Sequence, residues 1–184
     1  MRKVIFLILL FTFTFSSFCW GLKIGGKELP DKMKAGENEL SINGAGLRKK
    51  LVIKVYACAL YLMENCKDEK KIIEADEPMA VKMHFIYKAV NPSKLIEAWN
   101  TGFSKSDTSN IKKEIDVFNS YFTQDAVKND IYDIVYVPEV GTSVYMNNEL
   151  KGTIAGFEFK KAVFSIWLGE QTELPKLKKA MLGL

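Results

Sequence analysis

The stretch LSINGAGLRKKLVIKVYACALYL, running from Leu40 to Leu62, decides how this chain is read. From Leu47 to Met63 the odd positions are Leu, Lys, Leu, Ile, Val, Ala, Ala, Tyr and Met, while the even ones carry Arg48, Lys50 and Lys54. That is strand alternation, and it predicts a buried odd face. The run is much longer than a usual strand of about 5 to 6 residues, so a bend or hairpin tip is expected near Lys49 and Lys50. The same stretch holds a compositional oddity. Arg2 and Arg48 are the only arginines, and every other cation is lysine. A flat, permanently charged guanidinium with five donors suits bidentate capture of a carboxylate or other oxyanion in a way an ammonium does not. The alternatives are a stabilising pair with a nearby aspartate, or no role.

Working outward, Arg2 and Lys3 precede an apolar and hydroxyl-bearing run from Val4 to Phe18, and Cys19-Trp20-Gly21 closes it. This reads as a signal peptide over residues 1–21, cleaved after Gly21, which places the mature protein in the periplasm or outside the cell. The competing reading is an uncleaved membrane anchor, for which the run is short against the roughly 20 residues a bilayer requires. Phe18 is too bulky to precede a lipidated cysteine. Without Arg2 and Lys3 the formal charge falls from +4 to +2, which is no signature of a nucleic-acid or anionic-membrane binder. Residues 22–184 have the length of one domain. Cys58 and Cys66 are expected as free thiols, because pairing them requires the chain to fold straight back after the strand.

Val81 to Tyr87 alternates again, with Lys82, His84 and Ile86 on one side. Asn91-Pro92 is a helix cap followed by proline at the first turn, and Gly102 marks that helix's end. Ile111, Ile115, Phe118 and Phe122 form the stripe of a second helix. Ile131 to Val137 is a strand. Thr142 to Met146 and Glu149 to Ile154 make a hairpin about Asn147-Asn148. Helices follow over Phe159 to Leu168 and after Pro175. Strand and helix blocks are partly segregated and hairpins dominate, so the fold class is α+β with a large, mainly antiparallel sheet.

Generic chemistry is sparse. His84 is the lone histidine and reads as an exposed or half-buried strand residue rather than a metal ligand. Gly44-Ala45-Gly46 lacks the third glycine and helix of a dinucleotide loop. No metal or redox cofactor is implied.

With Arg48 in place, NGAGLRKK followed by KVYACALYL resembles the chalcone isomerase family, in particular its exported bacterial branch. Further matches follow in order: AWNTGF (Ala98–Phe103), YVPEVGTSVYMNN (Tyr136–Asn148), GTIAGFEFKKAVFSIWLG (Gly152–Gly169) and LKKAMLG (Leu177–Gly183). The resemblance implies an open-faced sandwich, a sheet carrying a helix layer with a ligand cleft between them. It also implies that Arg48 stabilises negative charge developing on oxygen as a phenolate closes onto an enone. Asn100 matches the family asparagine, and Tyr56 falls where the family has a strand threonine. Ser93 falls where it has a tyrosine, and Ile166 where it has its last threonine. The loss of those donors favours another branch, which resembles fatty-acid binders whose arginine grips a carboxylate. The preferred expectation is therefore an exported, non-catalytic binder of a small apolar ligand with a carboxylate or phenolate head, held by Arg48, Tyr56, Ser93 and Asn100. The alternative is an intramolecular lyase using Arg48, Tyr56 and Asn100. Neither involves nucleic acid, and a membrane enters only through an uncleaved leader. The pairing carries a geometric condition. Arg48 and Tyr56 lie roughly 26 Å apart on a straight strand and can share a ligand only if the chain turns between them.

Overall fold

The computed structural model describes residues 21–184, so the leader expected over residues 1–21 falls outside it apart from Gly21. In chain order the elements are β1 (Leu22–Ile24), β2 (Lys27–Leu29), β3 (Lys32–Ala35), β4 (Asn38–Lys50), β5 (Ile53–Leu62), α1 (Glu69–Glu74), β6 (Met79–Phe85) and β7 (Ala89–Val90). There follow α2 (Pro92–Phe103), α3 (Lys112–Ser120), β8 (Ala126–Val127), β9 (Ile131–Val137), β10 (Gly141–Met146), β11 (Glu149–Ile154), α4 (Phe157–Leu168) and α5 (Pro175–Met181). Seven strands form one sheet in the order β11-β10-β9-β6-β5-β4-β3. Every pairing in it is antiparallel. The α+β class and the sheet-plus-helices architecture are as expected.

The long run from Leu47 to Met63 does turn, at Leu51 and Val52, so Arg48 and Tyr56 become direct cross-strand partners. The expectation of a buried odd face needs correction, because β5 is buried on both sides. Its even residues Tyr56, Cys58, Leu60 and Leu62 pack under the helix layer. Its odd residues Ala57, Ala59 and Tyr61 join a second core with Leu29, Leu40, Ala80 and Val135 on the opposite face. That second face is covered because the sheet curls, bringing β3 against β9 across three intervening strands, and because the β1–β2 hairpin lies over it. The odd residues Leu51 and Ile53 are exposed.

The helix layer is seated by residue-level devices. Asn91 caps α2 by accepting the Ser93 amide at 2.9 Å, as its Asn-Pro sequence suggests. In α3, Phe118 is fully buried, and Phe122 from the same stripe is buried just past the helix end. The NGAG segment acts structurally. A Cβ on Gly44 would overlap the carbonyls of Ala180 and Met181, and one on Gly46 would stand 2.7 Å from the Ala180 side chain. The two glycines let α5 lie directly on β4. Asn43 fastens the crossing, its side-chain amide donating to the carbonyls of Cys66 and Met181, both at 2.9 Å. Cys58 and Cys66 are both free, as expected.

Lys160 is fully buried within α4. Its ammonium donates to the carbonyls of Ile72, Ile73 and Ala75 at 3.0, 2.7 and 2.6 Å, closing the C-terminal end of α1. The rings of Tyr136, Phe157 and Phe164 surround it. Burial draws its pKa down to about 8, with Asp76 and Glu74 acting in the opposite sense.

Candidate ligand-binding site

Arg48 shares the helix-facing side of β4 with Gly46 and Gly44, two and four residues before it. The strand face that accepts α5 therefore presents the guanidinium just beyond that helix's start. Across the turn, Tyr56 presents its ring to the same side. Two neighbouring cavities use both residues. One, of about 410 Å³, runs between the β4–β5 hairpin and the start of α2. Its walls are largely apolar, with Ile53, Val55, Val90, Leu95, Ala98 and Trp99, and its charged groups are Arg48, Lys50 and Lys94 with no carboxylate. The other, of about 210 Å³, continues past Trp99 toward Gly102 and Ile166 and includes Glu97 and Glu173. Those carboxylates are engaged, Glu97 with Lys94 at 2.7 Å and Glu173 with Lys105 at 3.6 Å.

Arg48 is half-buried and has no salt-bridge partner among the described residues, which leaves the stabilising-pair explanation without an aspartate or glutamate. One of its N–H groups donates to the Lys49 carbonyl at 2.5 Å, so most of its fork remains available. The Tyr56 hydroxyl accepts from the Trp167 indole N–H at 3.2 Å. Its own hydrogen is thereby free to donate. Burial, reinforced by neighbouring Cys58, pushes the Tyr56 pKa well above its ordinary value, against the opposing pull of Trp167 and Arg48. The phenol is therefore a neutral donor at physiological pH and no phenolate.

Trp99 lines both cavities. Its indole N–H is buried without an acceptor among the described residues. An orphaned donor of this kind costs about 1 to 3 kcal/mol, which an oxygen brought by a ligand would offset. In the sequence Trp99 falls with Leu95 and Phe103 at steps of four on one helical face, which reads as a core stripe. Its place beside Asn100 was the available signal, but the alternation of a helix does not reveal an unmet N–H. Lys50 and Lys94 likewise emerge only from the three-dimensional arrangement.

The remaining expected site residues lie elsewhere. Ser93 is exposed and donates its hydroxyl to Asn91 at 2.7 Å within the α2 cap. Asn100 is exposed and accepts from Asn119 of α3 at 2.8 Å. Neither lines the cavities shared by Arg48 and Tyr56. Ile166 does reach the smaller cavity, where it presents a hydrocarbon wall packed beneath Gly102. His84 is half-buried on the opposite side of the sheet, its pKa lowered by burial and by Lys27. No cluster of three or more metal-ligating side chains occurs among the described residues.

The chalcone isomerase-like family model matches residues 21–183. The chain belongs to the chalcone isomerase-like family. Among solved structures, a fatty-acid binding protein of Arabidopsis thaliana superposes with a TM-score of 0.69 at 18% sequence identity, covering 85% of this chain and 92% of that one. At that identity the likeness shows a shared fold. A search of functionally curated proteins returns no match. The family's sheet and helix layer account for the cleft itself, and what this member does with the cleft depends on its own lining.

Proposed function

We propose that this chalcone isomerase-like protein is a non-catalytic binder of a small apolar ligand with an anionic head, of the fatty-acid type, and that it works after export to the periplasm or beyond. One observation carries the reading: a guanidinium without an ion-pair partner among the described residues and a neutral phenol, cross-strand neighbours, both line a largely apolar cavity of about 410 Å³ whose walls carry no carboxylate. The volume falls within the roughly 300 to 1,000 Å³ typical of small-molecule sites. Arg48 supplies the fork for the carboxylate and Tyr56 a second donor, and the hydrocarbon tail lies along Ile53, Val55, Val90 and Leu95. The fatty-acid binding protein of similar fold supports the choice of ligand class.

The lyase alternative is supported less well. Stabilising charge on oxygen requires several donors aimed at one atom. Here Ser93 is engaged in a helix cap, Asn100 is bonded to Asn119 away from the cavities, and Ile166 contributes hydrocarbon. Native mass spectrometry of the exported protein, wild type beside Arg48→Ala, tests the proposal. A copurifying fatty acid that disappears in the variant is expected. An empty wild-type protein that cyclises a chalcone would replace the binding reading with the lyase one.

A further inference from the structure

The turn joining β4 to β5 is unlike the other two-residue hairpin turns among the described residues. Gly25 and Gly26 turn β1 into β2, and Asn147 and Asn148 turn β10 into β11, all with positive φ. These are residues that tolerate the left-handed region. The β4–β5 turn instead uses Leu51 and Val52. Leu51 has φ 55°, a conformation that burdens an L side chain with a Cβ clash. The two side chains are 93% and 92% exposed, and Ile53 beside them is 43% exposed. An unfavourable backbone thus holds consecutive large apolar residues out in water at the end of a long two-stranded arm. Folding within this domain gains nothing from that arrangement.

The formal charge of +2 over residues 22–184 gives no sign of a membrane partner, but the cations are unevenly spread, and their placement says what covers the tip. Arg48, Lys49, Lys50 and Lys54 flank it along the two strands, and no aspartate or glutamate occurs between Asn43 and Leu62; Glu97 of α2, which acts on Lys50 electrostatically, is paired with Lys94. A second copy of this chain meeting tip to tip would bring the same four cations together. Two side chains are also far short of the roughly 1,200 Å² of a stable protein interface. An apolar tip within a basic collar matches the boundary of an anionic bilayer, where side chains enter the acyl region and cations meet the headgroups. No helix among the described residues is long and apolar enough to cross a membrane, so this is contact with a surface.

We propose that the β4–β5 hairpin docks the protein on anionic lipid surfaces by inserting Leu51 and Val52. Arg48, Lys50 and Ile53, at the base of this tip, are also walls of the larger cavity. Docking therefore brings the cavity to the source of apolar ligands. The inference does not depend on what the cavity holds.

The test uses the chain from Gly21 onward, which contains both core clusters and the span of the family match. It is sedimented with phosphatidylcholine vesicles and with vesicles that also contain phosphatidylglycerol. The wild type should partition onto the anionic vesicles, more weakly as salt rises. Leu51→Asn with Val52→Gly installs a favoured hairpin turn, so the melting temperature should hold or rise while partition falls by roughly tenfold or more. In Leu51→Trp the new indole's emission should shift to the blue on adding anionic vesicles. A wild type that ignores anionic vesicles, an Asn-Gly variant that binds them as the wild type does, a tip tryptophan that stays in water, or self-association through the tip would each overturn the proposal.

Discussion

If Arg48 and Tyr56 hold one carboxylate, their substitutions should weaken binding together, and the size of each effect follows from the geometry. Arg48 donates one of its five N–H groups to the Lys49 carbonyl and has no carboxylate partner among the described residues, so Arg48→Ala removes a largely free fork. A charge-assisted contact of this kind contributes about 1.5 to 3 kcal/mol, or roughly 10- to 150-fold in Kd. Arg48→Lys keeps the charge and loses the bidentate geometry, and about a fivefold loss is expected. Tyr56→Phe removes a neutral donor, worth about 0.5 to 1.5 kcal/mol of binding. It also takes away the acceptor of the buried Trp167 N–H, so stability should fall by about 1 to 3 kcal/mol as well. Because the two residues face each other across adjacent strands, the double variant should show a coupling of at least about 0.5 kcal/mol. Titration calorimetry with palmitate, alongside urea denaturation of each variant, measures all of these quantities. Arg48→Lys within twofold of wild type, or a coupling of zero, would refute the shared-carboxylate geometry.

Other parts of the structure make further commitments. Lengthening a saturated fatty acid by one buried methylene should tighten binding by about 0.8 kcal/mol, near fourfold, until the cavity is filled; competition assays across chain lengths would read the plateau, and a flat series would mean the tail stays in water. Gly44→Ala puts a methyl into the carbonyls of Ala180 and Met181, and a loss of about 2 to 3 kcal/mol with faster amide exchange in α5 is expected. Lys160→Met preserves the stem but strips the donors from three carbonyls, and urea melts should show a cost of about 3 kcal/mol or more. On the far side of the sheet, burial raises the Asp133 pKa and Lys82, 2.7 Å away, pulls it back. In Lys82→Met the folded-state value climbs further above the unfolded one of about 3.9, so the native state holds its proton longer. Stability of that variant should then fall as pH rises from about 4 toward 7, more steeply than in wild type; parallel curves would show that the ion pair does not govern the titration.

How far the sequence anticipates this structure depends on the residue. The turn after Lys50 was legible because the alternating run was too long for one strand. The Asn91 cap and the Asn147-Asn148 hairpin were legible because their chemistry is local. Which face of β5 meets the helices was not, since Tyr56 through Leu62 is apolar at odd and even positions alike. Only the curl of the sheet, a property of all seven strands together, explains why both are buried. At the site, composition pointed to Arg48, and the register then brought Tyr56 to it. Ser93 and Asn100 came through alignment to the family, and spacing alone cannot tell a side chain that caps its own helix or bonds a neighbouring one from a side chain that reaches a cleft. Lys160 escaped notice because lysine ordinarily reads as surface, and three carbonyls from a helix end far away in sequence make its burial possible.

The crossing of α5 over Gly44 and Gly46 bears on the order of events as the protein forms. The Asn43–Met181 bond joins residues 138 apart, and the Trp167–Tyr56 bond residues 111 apart. The pairing of β4 with β5 is itself local and can form within microseconds, whereas these closures belong to the slow, non-local class. For that interval the arm shows Tyr56, Cys58, Leu60 and Leu62 uncovered beside an already protruding Leu51 and Val52. A nascent molecule is therefore at its stickiest before its helices arrive, and a holdase that shields this face would raise the yield of the native state more than any speeding of the hairpin.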